Sequence, residues 1–542
     1  MTYKEITRYL ELPLPRAENG PTLVGADFKG KESSPSEIPM MTTETSRGSD
    51  KPYRQWLYIL LAAATAFRFF YIQWVELAPD EAYYWTWSRH LQWGYYDHPP
   101  MVGFLIRIFT AVAGQGEFGV RVGWVLITVF LSWLLYYMGR MMFRSERAGF
   151  YAALLMNFSL LASVGSIIVT PDGPQMFFWA LSILFVYLAV SGRVNHWWYG
   201  TGVALGLGLL SKYTMVLLAP CIFFFLLSYP EGRKWLRRKE PYLAFLLGML
   251  IFSPVIYWNF QHDWLSFRFQ LSHGLEVKKE VGLEYFGEFW ASQAGLASPL
   301  VFLGILWAMG KSAWIGFRRG KDHLLLLFWT SAPILLFFAY ASLRSRVEGN
   351  WPALAYFSGL VAMAGLANQE WGGWGKGKRI FSWAAVIISL LFTVLAHLQP
   401  LHAVIPVEAQ DDPTSQLHGW RALGNRIEAV AQTLDPAKGI FLLTPRHQLV
   451  GEGMFCTRGK FPVYQWDAPN RINNLSPLNS PPAGSQGIFF TEGGRELPRG
   501  LEPLFESCQQ VETFVVRRNS SVVRTHPIWK CTGFKGLGCN QP

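Results

Sequence analysis

"DEAYYWTWSRHLQWGYYDHPP" occupies residues 80–100, directly after a strongly apolar run. It places three carboxylates (Asp80, Glu81, Asp97), two histidines (His90, His98) and seven Trp or Tyr rings in twenty-one residues. The surrounding chain of 542 residues is 51% hydrophobic and only 16% charged, against about 25% charged in soluble proteins. Such a chain is built for lipid. A polar stretch this dense marks where it leaves the bilayer.

Runs of about 20 apolar residues can cross a membrane as helices. They recur at 54–74, 118–138, 149–169, 174–191, 197–211, 213–229, 241–258, 289–309, 324–342, 351–368 and 380–399, which predicts about eleven spans. Sixteen Lys or Arg fall in "GRMMFRSERA", "SGRVNH", "PEGRKWLRRKEP", "GKSAWIGFRRGKDH" and "NQEWGGWGKGKR". Basic residues gather on the cytoplasmic side, so these loops and the N-terminus are expected inside. The net charge of +11 is spread over such clusters rather than one patch, which argues against nucleic acid as a partner. Residues 1–52 are polar, rich in Pro, Ser, Thr and Glu, and lack the apolar core of a signal peptide. They are expected to form a disordered cytoplasmic tail.

The same topology sends residues 80–100, "TPDGP" (170–174), "NFQHDWLSFRFQLSHG" (259–274) and "RSRVEGNW" (344–351) to the outer face. Residues 53–400 form the membrane domain. Beyond 400 the pattern becomes an amphipathic helix near 416–434 and short β-like runs, "GIFLLT", "QGIFFT" and "VETFVVRR". A small mixed α/β domain over 401–542 is expected outside. It carries Cys456, Cys508, Cys531 and Cys539, in a compartment that would permit disulfides; spacing leaves the pairing open.

Pro79, Asp80 and Glu81 suit the first turn of a helix, where acids complement the dipole. A carboxylate directly after a span is nevertheless costly without a partner or a task. Asp97 and His98 are pinned by the prolines that follow. Asp172 lies in a turn signal, and His262 in an aromatic segment. Carboxylate-bearing turns and a His on one face would suit a divalent metal. Arg344 and Arg346 run against the inside bias and match phosphate. Lys212 interrupts two apolar runs, where it snorkels or meets a phosphate.

"PDEAYYW…GYYDHPP", "TPDGPQMFFW", "GLGLLSKYT" and "EGNWP" together resemble the bacterial membrane glycosyltransferases of family 39 type. These are similar to dolichyl-phosphate-mannose protein mannosyltransferases, the lipid A aminoarabinose transferase and lipopolysaccharide galacturonic acid transferases. The resemblance covers about residues 54–400. It implies a mainly α GT-C fold on the bacterial inner membrane, with catalytic loops outside and a donor sugar on a polyprenyl phosphate. The acceptor would be a hydroxyl of lipid A or core lipopolysaccharide, another glycan or a protein. It further implies Asp80 as catalytic base with Glu81 beside it, and Lys212, Arg344, Arg346 and His98 on the donor phosphate. The aminoarabinose transferase carries Lys where this chain has His98. Asp172, Glu348 and Tyr84 would support the site. Asp97 with His262 would hold a divalent metal ion as cofactor.

The chemistry fits those residue types. Transfer from a lipid phosphate needs a base for the acceptor hydroxyl and cations for the leaving phosphate. Two other readings compete. A transporter or flippase for a lipid-linked sugar would also hold charges in broken helices, yet the spans are nearly free of Asp and Glu. A membrane anchor for the outer domain explains none of the acids.

Overall fold

The computed structural model describes residues 51–192, 194–275, 282–466, 481–493, 496–498 and 500–536. The expected N-terminal tail lies outside these residues up to position 50, as does Cys539.

Among the described residues, six helices or helix pairs are long and apolar enough to cross a bilayer: Glu117–Phe143, Asp172–Gly192, Glu240–Gln261, Pro299–Arg319, Asp322–Ala341 and Lys376–His402. Helices Lys51–Tyr71, Glu146–Phe158, Trp197–Leu209 and Ala353–Glu370, with the apolar segment Tyr213–Leu227, occupy further predicted spans. The protein is a polytopic, mainly α membrane protein.

The span expected over 289–309 is displaced. Helix Leu283–Ala297 stops there, Ser298 adopts φ 72°, and Pro299 opens the spanning helix Pro299–Arg319. Proline disfavours the α region for the residue before it, and the left-handed φ of Ser298 breaks the helix there. Two other expected spans are also broken. The 149–169 run divides at Ser159, whose hydroxyl accepts from Ala162 N. The 324–342 run divides before Ala332–Ala341, which carries Pro in its first turn. An apolar helix, Met101–Ala113, fills part of what reads as an outer loop. Thirteen residues reach only about 20 Å.

Past the last membrane helix the chain builds one mixed sheet from β1 (Ile440–Thr444), β2 (Val463–Gln465), β3 (Gln486–Phe490), β4 (Ser507–Arg518) and β5 (Ser521–Thr532), in the order β2-β1-β3-β5-β4. β1 pairs parallel with β2 and β3, while β5 is antiparallel to β3 and β4. Cys508 and Cys531 face each other across β4 and β5 and are disulfide-bonded. Cys456 is a free thiol.

The sheet's helix His447–Cys456 lies against helix Pro79–Arg89. A Cβ on Gly451 would stand 2.4 Å from Tyr83 N, so the two backbones meet where only glycine fits. Trp85 packs edge-on to Phe455 at 5.2 Å, and Tyr83 to His447 at 4.7 Å. Tyr83, Trp85 and Trp87 share one buried cluster with Leu449, Val450, Ile488 and Phe490. The densest aromatic stretch of the sequence is therefore the seam between membrane helices and sheet.

Candidate active site

Helix Pro79–Arg89 begins with a division of labour between neighbouring acids. Consecutive helical side chains point about 100° apart. Asp80 is exposed, whereas Glu81 is wholly buried. Glu81 Oε2 accepts from Ala78 N at 2.9 Å, closing the helix start, and Oε1 accepts from Val169 N at 2.9 Å. Arg121, 1% exposed, donates from Nε to Oε1 at 2.8 Å and from Nη2 to Oε2 at 2.5 Å. The same guanidinium donates to the carbonyls of Val75 and Glu76 at 2.7 and 2.8 Å. Glu81 is thus saturated within the protein, whereas Asp80 faces solvent.

Tyr84 lies one turn after Asp80, on the same face. Burial pushes its phenol well above the ordinary range, and the charges of Asp80, Asp97 and Asp172 push it further. Three carboxylates from separate parts of the chain therefore act electrostatically on one ring. That ring remains a neutral hydrogen-bond donor.

The turn after this helix is held from two sides. Tyr95 stacks on Trp87 at 4.2 Å, and its own N–H donates to His98 O. Gly94 lies beneath Trp258, whose ring a Cβ would approach to 2.6 Å. Trp258 Nε1 donates to Gln92 Oε1 at 3.0 Å. Asp97 Oδ2 accepts from Tyr83 OH at 2.8 Å and its carbonyl accepts from Gln270 at 2.5 Å. His98 is half-buried, its ring 6.3 Å from that of Tyr84.

Asp172 opens helix Asp172–Gly192. Its following Gly173 fits under Trp124, to which a Cβ would come within 2.6 Å. Lys212 Nζ donates to Asp172 Oδ1 at 2.7 Å, and Asn350 Nδ2 donates to Oδ2 at 2.9 Å. Asp172 and Lys212 are 7% and 9% exposed. An ammonium carries three donors, so two remain for a ligand. Met101 N donates to Leu210 O at 3.0 Å, tying the first loop to the segment that presents Lys212.

Other predicted site residues stand apart from this arrangement. Arg344, Arg346 and Glu348 are exposed. Arg344 donates to Tyr340 OH at 2.6 Å and lies over its ring, while Arg346 pairs with Glu288 at 2.8 Å. The two residues expected to share a metal each have protein partners. His262 caps helix Glu240–Gln261, engages Trp258 O through Nδ1 at 2.8 Å and stacks on the Trp258 ring at 4.1 Å. Asp97 is held by Tyr83 and Gln270, and no group of three or more His, Cys, Asp or Glu among the described residues is arranged to hold a metal ion.

Tyr83 and Gln270 carry no site signal in the sequence, and Asn350 is visible there without a role. Arg121 had one available signal: an arginine four residues inside an apolar run, where a charge needs a buried partner.

Residues 97–258 match the family model described as dolichyl-phosphate-mannose-protein mannosyltransferase. A lipid A galacturonosyltransferase of Rhizobium johnstonii is 28% identical over 76% of this chain and 85% of its own length. The crystal structure of ArnT from Cupriavidus metallidurans bound to undecaprenyl phosphate superposes with a TM-score of 0.56 at 17% identity, covering 88% of this chain and 98% of that one. By these matches the chain is similar to GT-C glycosyltransferases of the family 39 type. An undecaprenyl phosphate-aminoarabinose arabinosyl transferase of Pseudomonas fluorescens is 29% identical over 45% of the chain, which spans 42% of that relative's length. The mannosyltransferase match begins at Asp97 and takes in Asp172 and Lys212. In this transferase the matched segment and the Asp80 helix meet around Tyr84.

Proposed function

We propose that the enzyme moves a sugar from a polyprenyl phosphate to a hydroxyl of a lipid A-type acceptor at the extracytoplasmic face of the bacterial inner membrane. The observation that carries this reading is the buried Lys212–Asp172–Asn350 cluster, whose Asp172 acts with Asp80 and Asp97 on the Tyr84 phenol. Asp80, exposed on a rigid helix start, takes the acceptor proton. Lys212, oriented by Asp172 and Asn350, offers its two remaining donors to the donor phosphate as charge develops on the leaving oxygen. Tyr84 donates within the same space. His98, beside Tyr84, is placed to add a second contact. Glu81 holds the helix start rather than joining the chemistry.

The match over 85% of a galacturonosyltransferase, against 42% of an aminoarabinose transferase, favours a hexosyl-type donor. The Cys508–Cys531 bridge supports an oxidising compartment for 401–542, consistent with basic loops at the opposite membrane face. The deciding experiment is transfer by detergent-purified protein from a radiolabelled polyprenyl-phosphate sugar to lipid A, with no sealed vesicle present. Product formed by the wild type and absent in Asp80→Asn supports the reading. Sugar movement only across sealed vesicles would favour a transporter.

A further inference from the structure

A second candidate binding region lies at the far end of the bundle from Asp80. Helix Glu117–Phe143, whose Arg121 grips Glu81, has 27 residues and so runs about 40 Å. At its other end Phe143 and Arg144 border a cavity of about 950 Å³. Helix Asp172–Gly192 likewise starts at the active site and delivers Tyr187 and Ser191 to the same cavity. Phe143, Tyr229, Trp235 and Leu324 are buried walls. Arg144, Lys234, Arg319 and Lys321 are its exposed cations.

The charges do not cancel. Among the described residues, none of these four cations makes an ion pair or a side-chain hydrogen bond. Most neighbouring charges already have partners. Glu370 pairs with Lys311, Asp322 faces His323 at 3.5 Å, and Arg238 pairs with Glu240 at 3.1 Å. Among the described residues, the lining carboxylates without a permanently charged partner are Glu231 and Asp322, whose neighbour is a histidine. Four cations therefore oppose two acids. The general bias of basic residues toward one membrane face accounts for their side. It does not account for their convergence on a cavity with aromatic walls. Arg144 and Arg319 end their helices, where cations complement the dipole, and left-handed backbone at Arg144 and Gly320 turns the chain there.

We propose that this cavity binds a phosphate ester, with the phosphate on Arg144, Lys234, Arg319 and Lys321 and the less polar part of the ligand against Trp235 and Tyr187. Its volume lies within the roughly 300–1,000 Å³ usual for small-ligand sites, and guanidinium and ammonium groups suit phosphate oxygens. Two sources share this chemistry: the headgroup of an anionic phospholipid and a soluble nucleotide.

The test uses full-length protein in an uncharged detergent. One arm adds phosphatidylglycerol or cardiolipin in mixed micelles; the other adds uridine diphosphate or inorganic pyrophosphate. Native mass spectrometry counts bound ligand, and thermal melting follows its effect. We expect saturable binding in at least one arm, weakened about tenfold or more in Arg319→Ala/Lys321→Ala, since lost charge-assisted contacts are strong ones. Binding in the lipid arm alone identifies a headgroup, and binding in the soluble arm identifies a solute. The milder Lys321→Gln tests the assignment if the double variant folds poorly. No saturable binding in either arm, or equal binding by the wild type and the variants, overturns the proposal.

Discussion

Lys212 Nζ lies 2.7 Å from Asp172 Oδ1, joining the start of one spanning helix to the junction after another. Both side chains are nearly sealed from solvent, at 11% and 10% side-chain exposure. Asn350 completes the carboxylate's shell from a third loop. The pair holds the ammonium in place before any phosphate arrives. Lys212→Ala should raise the donor KM and lower kcat, with a loss in kcat of roughly 10²–10³-fold if Lys212 stabilises developing charge as an oxyanion donor does. Arg346→Ala breaks only an exposed ion pair and should change donor kinetics by less than about fivefold. Donor titrations on the two variants make the comparison; equal losses would move the phosphate toward Arg346.

Asp80→Asn should reduce transfer by roughly 10²–10⁴-fold, the usual contribution of a positioned base. The side chain is exposed, so the melting temperature in detergent should stay close to that of the wild type. Full activity in this variant would remove Asp80 from the base role.

Arg121→Ala should behave in the opposite way, unfolding the protein before it informs on chemistry. It leaves the buried Glu81 carboxylate without its cation, and breaking a buried pair costs about 3–5 kcal/mol. The lost bonds to the carbonyls of Val75 and Glu76 add to the damage. Thermal melting in detergent measures the effect. The double variant Arg121→Met/Glu81→Gln should recover part of the stability, because no uncompensated charge remains.

The outer sheet should respond to pH in two opposing ways. His526 is fully buried in β5, donates from Nδ1 to Thr491 O at 2.9 Å, and is lowered by burial to about 4. The unfolded chain takes up this proton first, so stability falls as pH drops from about 6.5 toward 4, by about 2 kcal/mol at pH 5. Burial, and next the charge of Glu76, raise the Glu452 carboxyl well above its usual range. The folded state then holds a proton that the unfolded chain loses, and stability falls as pH rises through that window. Melting curves from pH 5 to 8 should flatten on the acid side in His526→Asn and on the alkaline side in Glu452→Gln.

Gly451→Val should lower transfer even though Gly451 lies more than 350 residues along the chain from Asp80. Its side chain would enter the backbone of Ala82 and Tyr83 and tilt the helix that presents Asp80 and Tyr84. Limited proteolysis should find the sheet intact, with the Cys508–Cys531 bridge retained.

Much of this was legible before any coordinates. Asp80, Asp172 and Lys212 each interrupt or border apolar sequence, where a polar side chain stands out because lipid penalises it. β1, β3 and β4 were readable from short β-like runs between turn residues. Other features depended on contacts that no local pattern encodes. Glu81 and Asp80 are adjacent acids with the same local propensity, and only Arg121 and Val169, 40 and 88 residues away, decide which one is buried. His262 has the chemistry of a ligand, but a helix end and the Trp258 ring claim it. The displaced span illustrates composition outweighed by a local rule: 289–309 is apolar enough to read as one helix, and Ser298–Pro299 breaks it.

The glycine contact at Tyr83 has an implication for how such enzymes diversify. A module docked through one missing side chain cannot be exchanged as a loose cap. Any replacement must reproduce that close approach, or the helix that carries Asp80 loses its footing.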